Sequence, residues 1–227
     1  MTQIYTILFD LDGTLVDTAP DLIIAHNHVM EKFGFPSRAP DQIKALVGMG
    51  AKSMMNKTLW NTAKEEMKKI NEKDIKDKMV KEFINFYKKN ILVKSKLING
   101  VKDFLIWCKK NNISMGVCTN KQEHLAIDLL KKIGINNYFE VVAGSDTFNY
   151  CKPDARHLTS VIEIMNGDLK KTIMIGDSEV DANSAHNASL PFILLEDGYT
   201  KVKSSQMKYD HLIKDFVNLN KIIKNYL

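Results

Sequence analysis

Five short apolar runs, at residues 4–10, 113–119, 139–143, 172–177 and 191–195, set the limits on the fold. Each has the length of a strand buried on both faces, and the first ends in acids and a glycine. Helical patterns fill the intervals between the later runs, at 101–110, 123–133, 154–165 and 178–188. Strands alternating with helices predict an α/β protein whose core is a doubly wound, Rossmann-like parallel sheet.

One interval breaks the alternation. Residues 18–92 carry helical periodicity and no convincing strand. Residues 21–33 read as a helix stopped by Gly34 and Pro36, and 41–46 as a short second one. Gly48, Met49 and Gly50 read as a loop, and 52–60 and 65–89 as further helices, the longer one broken near Asn71. The expectation is an all-helical domain over 18–92, inserted into a core made of 1–17 and 93–227. Its linkers would be residues 15–20 and 90–99. A chain of 227 residues has room for such a core and one smaller insert.

Composition excludes several classes. Hydrophobic residues at 44% and charged residues at 26% are ordinary for a soluble domain. The net charge of +5 comes largely from lysines at 64–89 and beyond 201, where they alternate with apolar positions at helical spacing. They read as solvated helix faces, and no arginine-rich or aromatic-interleaved stripe points to nucleic acid. No run approaches a membrane span, and residues 4–9 lack the basic flank and length of a signal segment. Cys108, Cys118 and Cys151 have no metal-site spacing, so a reducing cytoplasm is the expected compartment.

Four blocks at strand ends carry chemistry. The first is Asp10-Leu11-Asp12-Gly13-Thr14. Two carboxylates two residues apart on extended backbone point to one side, and Gly13 lets the chain turn close to a ligand. A plain Asp-Gly turn is the simpler alternative. Next comes Thr119-Asn120, a hydroxyl and an amide before a helix, suited to a phosphate or to a helix cap. Lys152, held by Pro153, is a point charge in a restrained backbone, or one surface lysine among many. The fourth is Gly176-Asp177-Ser178-Glu179-Val180-Asp181. Asp177 and Asp181 lie one helical turn apart and suit Mg²⁺, while Ser178 also suits a helix cap.

The four blocks in this order resemble the haloacid dehalogenase superfamily, in particular its phosphatases with a helical cap after the first motif. The chain is most similar to the phosphoglycolate phosphatase branch, through Gly13 to Leu22, Val47-Gly48-Met49-Gly50-Ala51 and Thr119-Asn120-Lys121. The resemblance implies that Asp10 attacks phosphorus and that Asp12 serves as general acid, then base. It implies Mg²⁺ on Asp10, the Asp12 backbone carbonyl and Asp177, with Asp181 supporting them. Lys152 would offset charge, and Gly13, Thr119 and Asn120 would hold the phosphate. Gly48, Met49, Gly50 and Lys52 are expected near the mouth of the site. There Lys52 reads either as a solvent-facing helix lysine or as a partner for a substrate carboxylate.

The implied reaction is hydrolysis of a small phosphorylated metabolite, 2-phosphoglycolate foremost, by a monomer or homodimer. A sugar phosphate, nucleotide or pyrophosphate is the alternative substrate. A phosphonate hydrolase, a mutase and a catalytically silent binding module rank below these. His26 and His28 diverge on a helix and read as packing or surface residues, not metal ligands. Phe83, Phe86 and Tyr87 read as helix core.

Overall fold

The computed structural model describes residues 6–60 and 72–226. Its centre is strand β1 (Thr6–Phe9), with all four residues buried. A two-residue strand β2 (Val16–Asp17) follows, then four helices: α1 (Ala19–Lys32), α2 (Pro40–Lys44), α3 (Ala51–Trp60) and α4 (Glu72–Lys89). After β3 (Lys96–Leu97) the chain alternates: α5 (Val101–Lys110), β4 (Ser114–Cys118), α6 (Glu123–Lys132), β5 (Val141–Ala143), α7 (Ala155–Ile164), β6 (Thr172–Gly176), α8 (Glu179–Asn187), β7 (Phe192–Leu195), β8 (His211–Ile213) and α9 (Leu219–Lys224).

Six strands form one parallel sheet in the order β5-β4-β1-β6-β7-β8. Side chains alternate across it, as strand geometry requires. Ile7, Phe9, Met115, Val117, Ile173 and Ile175 pack on one face with Phe104, Leu129 and Leu219. Leu8, Cys118 and Met174 pack on the other with Leu158, Val161 and Ala185. Both faces of the sheet are therefore covered by helices, which is why the strands are apolar without a polar face. Burying one such leucine or isoleucine stabilises the fold by about 1.5–3 kcal/mol.

The sheet order also places the site. From β1 the chain first builds outward through β4 and β5, then returns to the other side for β6. The crevice of a doubly wound sheet opens at this reversal, beyond the carboxyl ends of the strands. Phe9 lies opposite Val117 on β4 and Ile175 on β6, so the residues following all three strands emerge side by side.

The helical region α2–α4 is inserted between β2 and β3. Helix α1 buries Leu22, Ala25, His26, Val29 and Met30, a stripe at helical spacing. It faces Met79, Phe83 and Tyr87 of α4, which repeat every four residues and are also buried. At the end of α1, Gly34 N donates to Glu31 O and Phe35 N to Met30 O, closing the helix where the sequence predicts a stop. The predicted loop at Gly48, Met49 and Gly50 is a single 3₁₀ turn, Val47–Met49, that ends at Gly50. The predicted helix over 65–89 corresponds to α4 from Glu72, and the expected break near Asn71 lies outside the described residues.

The two predicted linkers contain β2 and β3, which pair antiparallel, Val16 with Leu97 and Asp17 with Lys96. Asp21 clamps the return. Its buried carboxylate accepts from the backbone N–H groups of Val93, Lys94 and Ser95 and from Ser95 Oγ, at 2.6–3.0 Å. Burial opposes its charge, but these donors hold its pKa below the ordinary carboxylate value. Asp21→Ala strands three N–H groups at once. The expected loss is about 2–3 kcal/mol in urea unfolding. A loss under about 0.5 kcal/mol would mean that water replaces the carboxylate.

Candidate active site

Four carboxylates and two lysines meet at the ends of β1, β4 and β6. Asp10, Asp12, Asp177, Asp181, Lys121 and Lys152 are all buried. Asp10 follows β1, its N–H bonded to Ile175 O at 2.9 Å. Lys152 Nζ lies 2.7 Å from Asp10 Oδ1 and 2.6 Å from Asp181 Oδ1. The other Asp181 oxygen accepts from Ser178 Oγ and from the N–H groups of Asp177 and Ser178. The predicted capping role of this segment and its place in the site therefore coexist.

Asp177 is held from both sides, by Thr14 Oγ1 at 2.8 Å and by Tyr199 N at 2.7 Å. Gly13 has φ +89°, and a Cβ there would lie 2.5 Å from Asp177 Oδ2. Only glycine fits this turn without displacing the carboxylate.

Carboxylate oxygens of Asp10, Asp177 and Asp181 lie within 4.8 Å of one another. Three acids against one lysine leave excess negative charge in a buried site. Burial raises the Asp10 pKa to about 6, with Asp181 adding to the rise and Lys152 opposing it. Burial, then Asp181 and Asp10, push Asp177 well above the usual carboxylate range. Burial disfavours the Lys152 charge, but Asp10 and Asp181 outweigh it and hold the ammonium protonated. Oxygen donors with uncompensated charge are what a hard divalent cation binds, so this group fits a metal ion.

Asp12 stands outside that trio and has its own partners. Its carboxylate accepts from Thr18 Oγ1 at 2.7 Å and from Lys121 Nζ at 2.7 and 2.8 Å. Thr119 is buried beside it, its Oγ1 accepting from Lys121 N. Asn120 Nδ2 donates to Lys152 O, tying the second block to the third. Among the described residues, the Asn120 Oδ1 atom is buried without a partner.

The inserted helices close over this end of the sheet. A cleft of about 340 Å³ lies between them and the core, lined by Asp12, Lys121, Met49, Lys52, Phe83 and Tyr87 among others. Gly50 also lines it, and a Cβ on Gly50 would meet Asn120 O at 2.8 Å, so the helical region contacts the core here. Of the four expected mouth residues, Met49, Gly50 and Lys52 line the cleft and Gly48 does not; Lys52 is exposed. His26 is buried against Asn27, while His28 stacks on Phe86 and bonds Glu82. Phe83 and Tyr87 are helix core and cleft wall at once.

A family model described as haloacid dehalogenase-like hydrolase matches residues 7–195. The chain belongs to the haloacid dehalogenase-like hydrolases. A protein of Agrobacterium fabrum named phosphoglycolate phosphatase is 39% identical over 212 residues, covering 93% of this chain and 89% of that one. One of Caulobacter vibrioides with the same name is 34% identical over 216 residues, covering 95% and 89%. The crystal structure of a predicted phosphoglycolate phosphatase from Haemophilus somnus superposes with a TM-score of 0.92 at 28% identity, covering 98% of this chain and 99% of that one. This hydrolase is thus similar to phosphoglycolate phosphatases along almost its whole length.

Two residues of the candidate site receive no role from the sequence alone. Lys121 stands among the sequence's many lysines, and only its position after Thr119-Asn120 hints at it. Tyr199 lies in the loop after β7. Its N–H holds Asp177, and its hydroxyl bonds Asp17 Oδ1 at 2.6 Å and accepts from Ala19 N at 3.0 Å. It joins the acid cluster to the start of the helical insert.

A neutral histidine supports Lys152 from behind. His157 Nδ1 accepts from Lys152 N at 3.3 Å. Burial and then the Lys152 charge lower its pKa from 6.5 to about 4. The unfolded chain therefore takes up this proton first as pH falls. The His157 contribution is intact above pH 6.5, is lost between 6.5 and about 4, and is flat below. The expected loss is about 3 kcal/mol. Unfolding of wild type and His157→Asn at a series of pH values isolates it as their difference. A difference independent of pH across this window would refute the assignment.

Proposed function

We propose that this hydrolase cleaves a small phosphate monoester, 2-phosphoglycolate foremost, through an aspartyl-phosphate on Asp10. The observation that carries this is the convergence of Asp10, Asp177, Asp181 and Lys152 on one point, with Asp12 facing the adjoining cleft. Similarity to phosphoglycolate phosphatases favours the named substrate.

Mg²⁺ is the proposed ion, which Asp10, the Asp12 carbonyl and Asp177 would hold with support from Asp181. Bound there, it supplies positive charge that offsets repulsion between the Asp10 carboxylate and the phosphate. An Asp10 oxygen attacks phosphorus as the bond to the ester oxygen breaks, and Asp12 gives that oxygen its proton. Water then attacks phosphorus, its proton passes to Asp12, and the released carboxylate restores Asp10. Lys152 compensates charge throughout, while Thr119, the Asn120 N–H and the Gly13 turn hold the phosphate oxygens.

The proposed division is a core of 1–17 and 93–227 and a cap of 18–92 that opens for substrate and closes to control water. No helix of the described residues is long and apolar enough to cross a membrane. Cytoplasmic location, a monomer or homodimer, and no nucleic-acid partner complete the proposal.

The test is a screen of the purified protein against phosphorylated metabolites, with Mg²⁺ and with a chelator. Phosphoglycolate is expected among the best substrates, and chelation is expected to abolish turnover until Mg²⁺ is restored. Preference for a sugar phosphate, nucleotide or pyrophosphate would replace the substrate and keep the chemistry. Inactivity on every ester, including p-nitrophenyl phosphate, would refute the enzymatic proposal.

A further inference from the structure

We propose that Lys121 selects the leaving group by pairing with a carboxylate carried close to the ester oxygen. This rests on the phosphatase function proposed above and names the group that its substrate presents.

The case begins with burial. The Lys121 side chain is only 5% exposed, unlike the exposed Lys52 that lines the same cleft. Its ammonium has three donors. Two are satisfied by the Asp12 oxygens, and the third has no acceptor among the described residues. The charge sits 4.7 Å from the centre of the Tyr87 ring, which gives it a favourable face to rest on. Tyr87 is 1% exposed and lines the cleft, and its hydroxyl is buried without a partner among the described residues. A donor-rich ammonium and an unpaired hydroxyl thus share one wall.

Much of the rest of that cleft is apolar, with Leu22, Val47, Ile84 and Leu125 in it. In such surroundings a charge pairs strongly with an opposite charge and gains little from a neutral group. Lys52, open to solvent, is screened and discriminates weakly.

Geometry sets the length of the substrate. Asp12 gives its proton to the ester oxygen, and Lys121 Nζ lies 2.7 Å from that same carboxylate. An anion that reaches Lys121 is therefore separated from the ester oxygen by a short spacer. A carboxylate on the carbon next to the ester carbon fits, whereas a charge at the far end of a sugar does not.

The experiment compares phosphoglycolate with ethyl phosphate, which has the same two-carbon length without the charge, and with p-nitrophenyl phosphate. Wild type is expected to favour phosphoglycolate over ethyl phosphate by about 100-fold or more in kcat/KM. Lys121→Gln is expected to erase most of that preference, chiefly through KM for phosphoglycolate. The same variant loses less on both uncharged-tail esters. Lys121→Arg retains most of the preference, and Lys52→Ala changes it less than about threefold.

An equal fall on all three esters in Lys121→Gln would overturn the inference, leaving Lys121 as a support for Asp12 and phosphoglycolate as the substrate. A wild-type enzyme that hydrolyses ethyl phosphate as fast as phosphoglycolate would overturn both the inference and the substrate. That comparison does not depend on any variant folding.

Discussion

Asp10→Asn is expected to lower phosphatase turnover by about 10⁴-fold or more while leaving the protein folded. An amide of nearly the same shape keeps an oxygen for Lys152 Nζ, now 2.7 Å from Asp10 Oδ1, so the packing around it survives. What disappears is the nucleophile proposed above, and no neighbour among the described residues is placed to replace it. Asp12 faces Thr18 and Lys121, and Asp177 is fixed by Thr14 and Tyr199.

The same substitution removes one of three crowded carboxylates. Burial raises the Asp10 pKa to about 6, with Asp181 adding to the rise and Lys152 opposing it, so the charge on Asp10 is disfavoured there. At neutral pH without Mg²⁺, the variant is therefore expected to melt no lower than wild type. Its stabilisation by added Mg²⁺ should shrink, since one of the proposed ligands is lost. Steady-state assays with p-nitrophenyl phosphate and melting curves with and without Mg²⁺ supply both readings. Turnover within tenfold of wild type would remove Asp10 as the nucleophile.

How much of this was legible in the sequence depended on the kind of signal. Strands β1, β4 and β6 could be read because burial on both faces writes them as unbroken apolar runs, and their polar last residues stand out against that background. Strands β2 and β3, two residues each, have no period to detect, and the linkers read there are a paired ribbon. Strand β8 and helix α9 are short and partly exposed, so their pattern fades into the surrounding lysines.

Within the candidate site, Asp10, Asp12 and Asp177 were legible as acids closing apolar runs, and Asp181, which a helix cap alone would explain, through the joint order of the four blocks. Lys121 stood out only as part of the Thr119-Asn120-Lys121 mark, and its role was hidden, since a lysine's role depends on burial, which spacing does not reveal. Tyr199 and Asp21 act across 22 and about 73 residues of chain. Such partners are chosen by the folded topology, not by any local pattern. The same holds for the cleft, whose walls come from the insert and from three loops of the core.

Lys152→Met tests the electrostatic balance on which the whole site depends. The lysine side chain is 2% exposed and bridges Asp10 and Asp181 at 2.7 and 2.6 Å. Methionine fills similar volume but leaves Asp10, Asp177 and Asp181 buried with no ammonium bridging them among the described residues. Removing one partner of a buried ion pair costs about 3–5 kcal/mol, because the remaining charge stays desolvated. Part of that loss is relieved when Asp10 and Asp177, whose pKa values are already raised, take up protons. A second relief is a divalent cation, which returns positive charge to the same point. The stability gap between Mg²⁺ and chelator is therefore expected to widen in the variant, even as turnover falls by about 10³-fold or more. Urea unfolding under both conditions measures the gap. If Lys152→Met unfolds at the wild-type midpoint in chelator, the three carboxylates do not repel one another as their geometry requires, and the charge balance assigned to Lys152 is wrong.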